Sequence, residues 1–117
     1  MSKGLATDAN ILLAGLFGKR VPTILEKYFE TAHLCAPASC LEELQRNAAV
    51  VGRGKSLSSI QIQVAVDNLS RRVELVEMRV LAPFEQAARL RIERRDPTDW
   101  PVIALAMATG FPIWTQD

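Results

Sequence analysis

Apolar residues fall along this chain in short runs and helical stripes that alternate. Gly4-Leu5-Ala6-Thr7 reads as a short buried strand. From Asn10 to Phe17, Ile11, Leu12, Ala14 and Gly15 keep helical spacing, and Gly18 stops the run. A second helix is predicted from Val21-Pro22 through Ile24, Leu25, Tyr28 and Phe29, with Pro22 acceptable in a first turn. His33-Leu34-Cys35-Ala36-Pro37 is the second strand. Ser39-Cys40-Leu41-Glu42 follows as a capping-box pattern, Ser39 at N-cap and Glu42 at N3, opening a helix that fades at Gly52-Arg53-Gly54.

Residues 58–68 carry two patterns at once. Ile60-Gln61-Ile62-Gln63-Val64-Ala65-Val66 alternates like a strand, yet Leu57, Ile60, Val64 and Ile62, Val66, Leu69 also fit a helix. Ser56 and Ser58 can cap a helix, and Val73-Glu74-Leu75-Val76 is the cleaner strand, so a helix is the expectation. Another helix spans about Phe84 to Glu93, with Phe84, Ala87, Ala88 and Ile92 on one side. In Arg95-Asp96-Pro97-Thr98-Asp99-Trp100-Pro101, Thr98 as N-cap puts Asp99 at N1 and Pro101 at a tolerated position. That helix runs through Val102–Ala108 to Gly110, and Pro112-Ile113-Trp114-Thr115 is the last strand. Alternating strands and helices with short joins imply one α/β domain over 1–117 with a central parallel sheet.

Composition changes this picture little. At 117 residues the chain can bury a core without staples. No apolar run approaches the roughly 20 residues that span a bilayer, and Met1-Ser2-Lys3-Gly4 does not open a signal peptide. Cys35 and Cys40 make neither a disulfide framework nor a zinc set. The expectation is a cytoplasmic protein with reduced thiols and no membrane attachment, a redox pair being the lesser reading of the cysteines.

The chemistry lies in four acids placed where strands end and helices begin: Asp8, Glu43, Asp99 and Asp117. In a parallel sheet those positions share one edge, where such folds bind ligands. If Glu42 serves the capping box, Glu43 is left for chemistry. Carboxylates held together repel unless a cation intervenes, and hard oxygen ligands suit Mg²⁺ or Mn²⁺. This reads as a metal-dependent phosphodiesterase site. The only histidine, His33, sits at a strand start, which excludes a metal-free ribonuclease built on paired histidines. Net charge is only +1, but removing those four from the 13 acidic residues leaves 9 against 14 bases, many of them arginine. Arginine forks suit phosphate oxygens; solvated helix faces paired with Glu74, Glu77, Glu85 and Glu93 are the plainer reading.

Each acid also has a structural reading. Asp8 is a natural N-cap, Glu43 and Asp99 favour a helix dipole, and Asp96 before a proline is a turn residue. Trp100 and Trp114 flank the proposed cleft as core or rim aromatics, with stacking on bases as the alternative.

Thr7-Asp8-Ala9-Asn10, Leu41-Glu42-Glu43-Leu44, and Asp96-Pro97-Thr98-Asp99 leading to Thr115-Gln116-Asp117 together resemble the PIN-domain nucleases. They match that family's Asp-x-Asn opening, its Glu-Leu element and its Asp-x-x-Asp and Thr-x-Asp pair, in order along the chain. The resemblance implies a three-layer α/β/α domain with Mg²⁺ or Mn²⁺ held by Asp8, Glu43, Asp99 and Asp117. It further implies Asn10 and Thr115 orienting ligands or water, and Asp96 as an auxiliary acid. The implied activity is endonucleolytic cleavage of single-stranded RNA. Small bacterial members of the VapC-like type are often dimeric toxins silenced by an antitoxin protein.

Two features depart from the family. Ala9 stands where Ser or Thr is common, and the sequence stops at Asp117, short of the usual C-terminal strand. They motivate a second reading, a degenerate PIN-like module that binds protein or RNA without cutting. A phosphorylatable receiver or a dehalogenase-like hydrolase is disfavoured, because Thr7-Asp8-Ala9-Asn10 shows neither a paired acid nor Asp-x-Asp at the first strand.

Overall fold

In the computed structural model, which describes residues 3–92 and 96–114, four short strands are joined by helices. The strands are β1 (Lys3–Thr7), β2 (Ala32–Pro37), β3 (Glu74–Val76) and β4 (Ile113–Trp114). All pair in parallel, in the order β3-β2-β1-β4, with Leu5 beside Leu34, Ala36 beside Leu75 and Thr7 beside Trp114. The helices are α1 (Ala9–Phe17), α2 (Val21–Thr31), α3 (Ser39–Gly54), α4 (Ser59–Ser70), α5 (Met78–Leu81), α6 (Glu85–Leu90) and α7 (Trp100–Thr109).

Strand periodicity builds the three layers. Successive side chains of a strand point to opposite faces. Leu5, Leu34, Ala36, Leu75 and Trp114 accordingly pack with Leu12 of α1, Leu25 of α2, Leu44 of α3 and Val66 of α4. Ala6, Cys35, Val76 and Ile113 face the other way, onto Leu81 of α5, Ala88 of α6 and Val102–Leu105 of α7. The expected α/β/α sandwich around a parallel sheet is therefore what forms.

Residues 58–68 are helical. Ser58 Oγ accepts from the Gln61 backbone N–H at 3.1 Å, and the Ser58 N–H donates to Gln61 Oε1 at 2.8 Å, closing a capping box. Ile62, Val66 and Leu69 face the core while Ile60 and Val64 lie exposed, which is why the segment alternates like a strand. The capping box expected at Ser39–Glu42 does not form. Ala38 already has helical backbone angles, and its N–H donates to the Val76 carbonyl at 2.8 Å. The chain thus passes from β2 into α3 with Ala38 as N-cap and Ser39 already inside the helix, and Glu42 is not a capping residue.

Two further boundaries move. The helix expected over 84–93 is preceded by α5 and a 3-10 turn, Ala82–Phe84, because Pro83 lacks the N–H that a continuous helix needs. The helix itself spans Glu85–Leu90, and Glu93 lies outside the described residues. Asp99, not Thr98, is the N-cap of α7, since a 3-10 turn, Pro97–Asp99, comes first. Gly110 ends α7 with φ +75°, a left-handed conformation costly for any residue with a Cβ.

The cysteines are free and buried, and they belong to opposite faces of the sheet, Cys40 with α1–α4 and Cys35 with α5–α7. They are not a redox pair. Burial, with Glu74 nearby, pushes the Cys35 thiol up from 9.0 to about 11, and burial with nearby acids pushes Cys40 up to about 12. Below pH 9.0 both thiols are protonated whether folded or not, so this contribution to stability is fully present. Above it the unfolded chain ionises first, and stability falls until the folded thiols titrate too. Chemical denaturation from pH 8 to 11 is expected to show that decline, and a Cys35→Ala/Cys40→Ala protein to show less of it. Ellman's reagent should react with neither thiol until the protein is unfolded.

Candidate functional site at the carboxyl edge of the sheet

Thr7, fully buried, ends β1, and its Oγ1 donates to the Cys35 carbonyl of β2 at 3.2 Å. That bond ties together the two strands whose ends carry the next residues of interest. Asp8 then leaves the sheet in an extended conformation as N-cap of α1, its Oδ1 accepting from the Ile11 N–H at 3.0 Å. The structural and functional readings of Asp8 coexist, because a carboxylate used as an N-cap through one oxygen keeps further lone pairs.

Asp8, Glu43 of α3 and Asp99 of α7 line one open cleft of about 250 Å³, together with Ser39, Glu42, Arg46 and Thr98. Cys40, buried, lines the same cleft. Its thiol is raised first by burial and then by the negative charges of Glu43 and Asp8, lowered by a hydrogen bond with the Ala9 backbone, and raised least by Asp99. Three acids far apart in sequence thus line one cleft. The parallel sheet brings them there: β1 and β2 end on the same edge, and α7 packs against both strands.

The other expected site residues are placed differently. Asp96 does not line the cleft. Its exposed carboxylate accepts from the Thr98 N–H at 3.0 Å, and hydrogen bonds from Thr98 hold it below the usual carboxylate range. Asn10 is exposed and lines a separate hollow with Phe17, Val51 and Lys55. Asp117 and Thr115 lie outside the described residues. Trp114 packs its ring on Tyr28, centroids 5.3 Å apart. The Arg89 guanidinium lies 5.4 Å over the Trp100 ring. Both aromatics thus have protein partners.

Glu42, expected to cap α3, and Arg46, one of the arginines of the basic surplus, also line the cleft. The spacing Glu42-Glu43-x-x-Arg46 puts the two acids four and three residues before the arginine, within reach of it along a helix.

The donor chemistry fits a hard divalent cation, since Asp8, Glu43 and Asp99 offer only carboxylate oxygens. Among the described residues no three acidic, histidine or cysteine side chains are gathered tightly enough to hold one ion. Mg²⁺ does not require three, as it is commonly held by one or two carboxylates with water and substrate phosphate completing its shell.

A sequence model of the PIN domain matches residues 6–117. The fold is similar to that of a solved structure of VapBC2 from Rickettsia felis bound to a DNA fragment from its promoter. The two chains are 17% identical, with a TM-score of 0.75, over 97% of this chain and 88% of that one. No curated protein matches the sequence.

Proposed function

From the premise that this chain belongs to the PIN-domain family, whose members are generally nucleases using divalent metals, we propose a metal-dependent endoribonuclease acting on single-stranded RNA. The observation that carries the reading is the meeting of Asp8, Glu43 and Asp99 in one cleft. Asp8, Glu43 and Asp99, with Asp117, are the residues that would hold Mg²⁺ or Mn²⁺. Such an ion supplies positive charge to phosphate oxygens and makes nearby water more acidic.

The protein's own part is to gather and hold the acids. Asp8 is fixed by its bond to the Ile11 N–H and Asp99 by its place at the head of the buried helix α7. Glu43 rides on the long helix α3, whose Leu44 and Ala48 are anchored in the core. Asn10 and Asp96 stand outside the cleft lining, and Thr115, two residues before Asp117, is the candidate for orienting water or ligands at this site.

The likeness to a VapBC complex supports a further reading as the toxin of a type II toxin–antitoxin pair, with an antitoxin protein as partner and a dimer as the working form. Among the described residues no helix is long and apolar enough to cross a membrane, and a cytoplasmic site of action fits an RNA substrate.

The test is cleavage of mixed single-stranded RNA oligonucleotides in Mn²⁺, with and without EDTA. Cleavage that EDTA abolishes is expected; a folded protein that leaves the RNA intact would remove the nuclease reading. The alternative, a PIN-like module that binds RNA or protein without cutting, is motivated by Ala9 standing where the family commonly has Ser or Thr. Calorimetry decides that point, since a non-cutting module should show no specific Mn²⁺ site.

A further inference from the structure

The acidic cleft has a cation of its own. Arg46 is the one basic side chain among the described residues that line it, facing a space shared with Asp8, Glu42, Glu43 and Asp99. Glu42 and Glu43 lie four and three residues before it on α3, the spacing at which opposite charges pair along a helix. Yet none of the ion pairs among the described residues involves Arg46. Its side chain is exposed and lines the cleft, and no carboxylate among the described residues forms an ion pair with it.

Other arginines of this chain are used differently. Arg72 clasps both oxygens of Glu26 at 2.7 and 3.0 Å, and Arg89 pairs with Glu85 at 2.8 Å.

We propose that Arg46 binds a backbone phosphate of the nucleic-acid strand in the cleft, a positioning role that deepens the nuclease reading and rests on it. A polyanionic strand entering a cleft walled by carboxylates meets repulsion that a fixed positive charge offsets. A guanidinium offers two parallel N–H donors that match two non-bridging phosphate oxygens, which a lysine ammonium cannot reproduce. The simpler alternative is that Arg46 only relieves repulsion among the acids of α3. That role would show in stability and not in strand binding.

The experiment measures binding of a fluorescein-labelled single-stranded RNA by anisotropy in Mg²⁺ across a salt series. The Asp8→Asn background keeps the strand intact. Arg46→Ala is expected to weaken binding by about tenfold or more and to flatten the slope of log affinity against log salt by about 0.7, one phosphate's share for a single strand. Arg46→Lys should recover the slope but only part of the affinity. Arg71→Ala, the same charge change at the exposed end of α4, should alter binding far less.

The proposal fails if Arg46→Ala lowers the melting temperature while affinity and slope stay put, or if Arg71→Ala matches its effect. Should the wild type bind RNA through Arg46 yet never cleave it, the nuclease reading falls and the phosphate contact stands. The two failures are therefore separable.

Discussion

An Asp8→Asn protein is expected to fold normally and to lose metal-dependent RNA cleavage by about a hundredfold or more. The two halves of that result come from the two jobs of one side chain. As N-cap, Asp8 needs only an oxygen to accept the Ile11 N–H, and asparagine caps about as well as aspartate, so stability should change by no more than about 0.5 kcal/mol. As a cleft acid it needs its charge, which asparagine lacks. Asp8→Ala removes both and should cost a further ~1 kcal/mol of stability. Cleavage rates beside thermal melts of the three proteins separate the roles. Cleavage by Asp8→Asn at the wild-type rate would show that the acid only caps α1.

That duality explains why the site was partly legible in the sequence. Asp8 and Asp99 sit at helix starts, where an acid has an ordinary structural use, so neither residue is informative by itself. The parallel order of strands makes them informative together: if β1 and β2 run the same way, whatever follows their ends shares an edge. The apolar runs at Leu5-Ala6 and at Leu34-Cys35-Ala36 predicted strands, and the structure divides those residues between two cores.

Local signatures proved less dependable where tertiary contacts compete. Ser39–Glu42 and Ser58–Gln61 show the same pattern, but only the second closes into a capping box. Before α4 the chain is free to choose an extended N-cap at Ser58. Before α3, Ala38 is held by a hydrogen bond to Val76 of the neighbouring strand, and helical geometry begins at once. The same competition moves Asp99 to the N-cap, because Asp96 turns the chain through Pro97–Asp99 first. Glu42 loses its expected capping task and enters the cleft, and Arg46 comes with it. Both consequences depend on where α3 starts, which a contact across the sheet decides.

The largest expected stability effect lies beneath the site. Val102, Ile103, Ala104 and Leu105 are consecutive and all buried, so α7 has no solvated face over this turn; the sheet lies on one side and α5 and α6 on the other. Leu105 is completely enclosed. Leu105→Ala should leave a cavity costing about 2–5 kcal/mol, a large share of the ~5–15 kcal/mol that keeps a domain of this kind folded. A fall in melting temperature of roughly 10–20 °C is expected, whereas Leu105→Met, nearly equal in volume, should cost less than about 1.5 kcal/mol. Since α7 carries Asp99 at its head, one turn from this core, the result also tests how the site is supported. Well below its melting point, Leu105→Ala should retain cleavage per folded molecule if α7 stays docked through Val102 and Ile103. Loss of cleavage with the fold intact would mean that the position of Asp99 is set by packing at Leu105 itself.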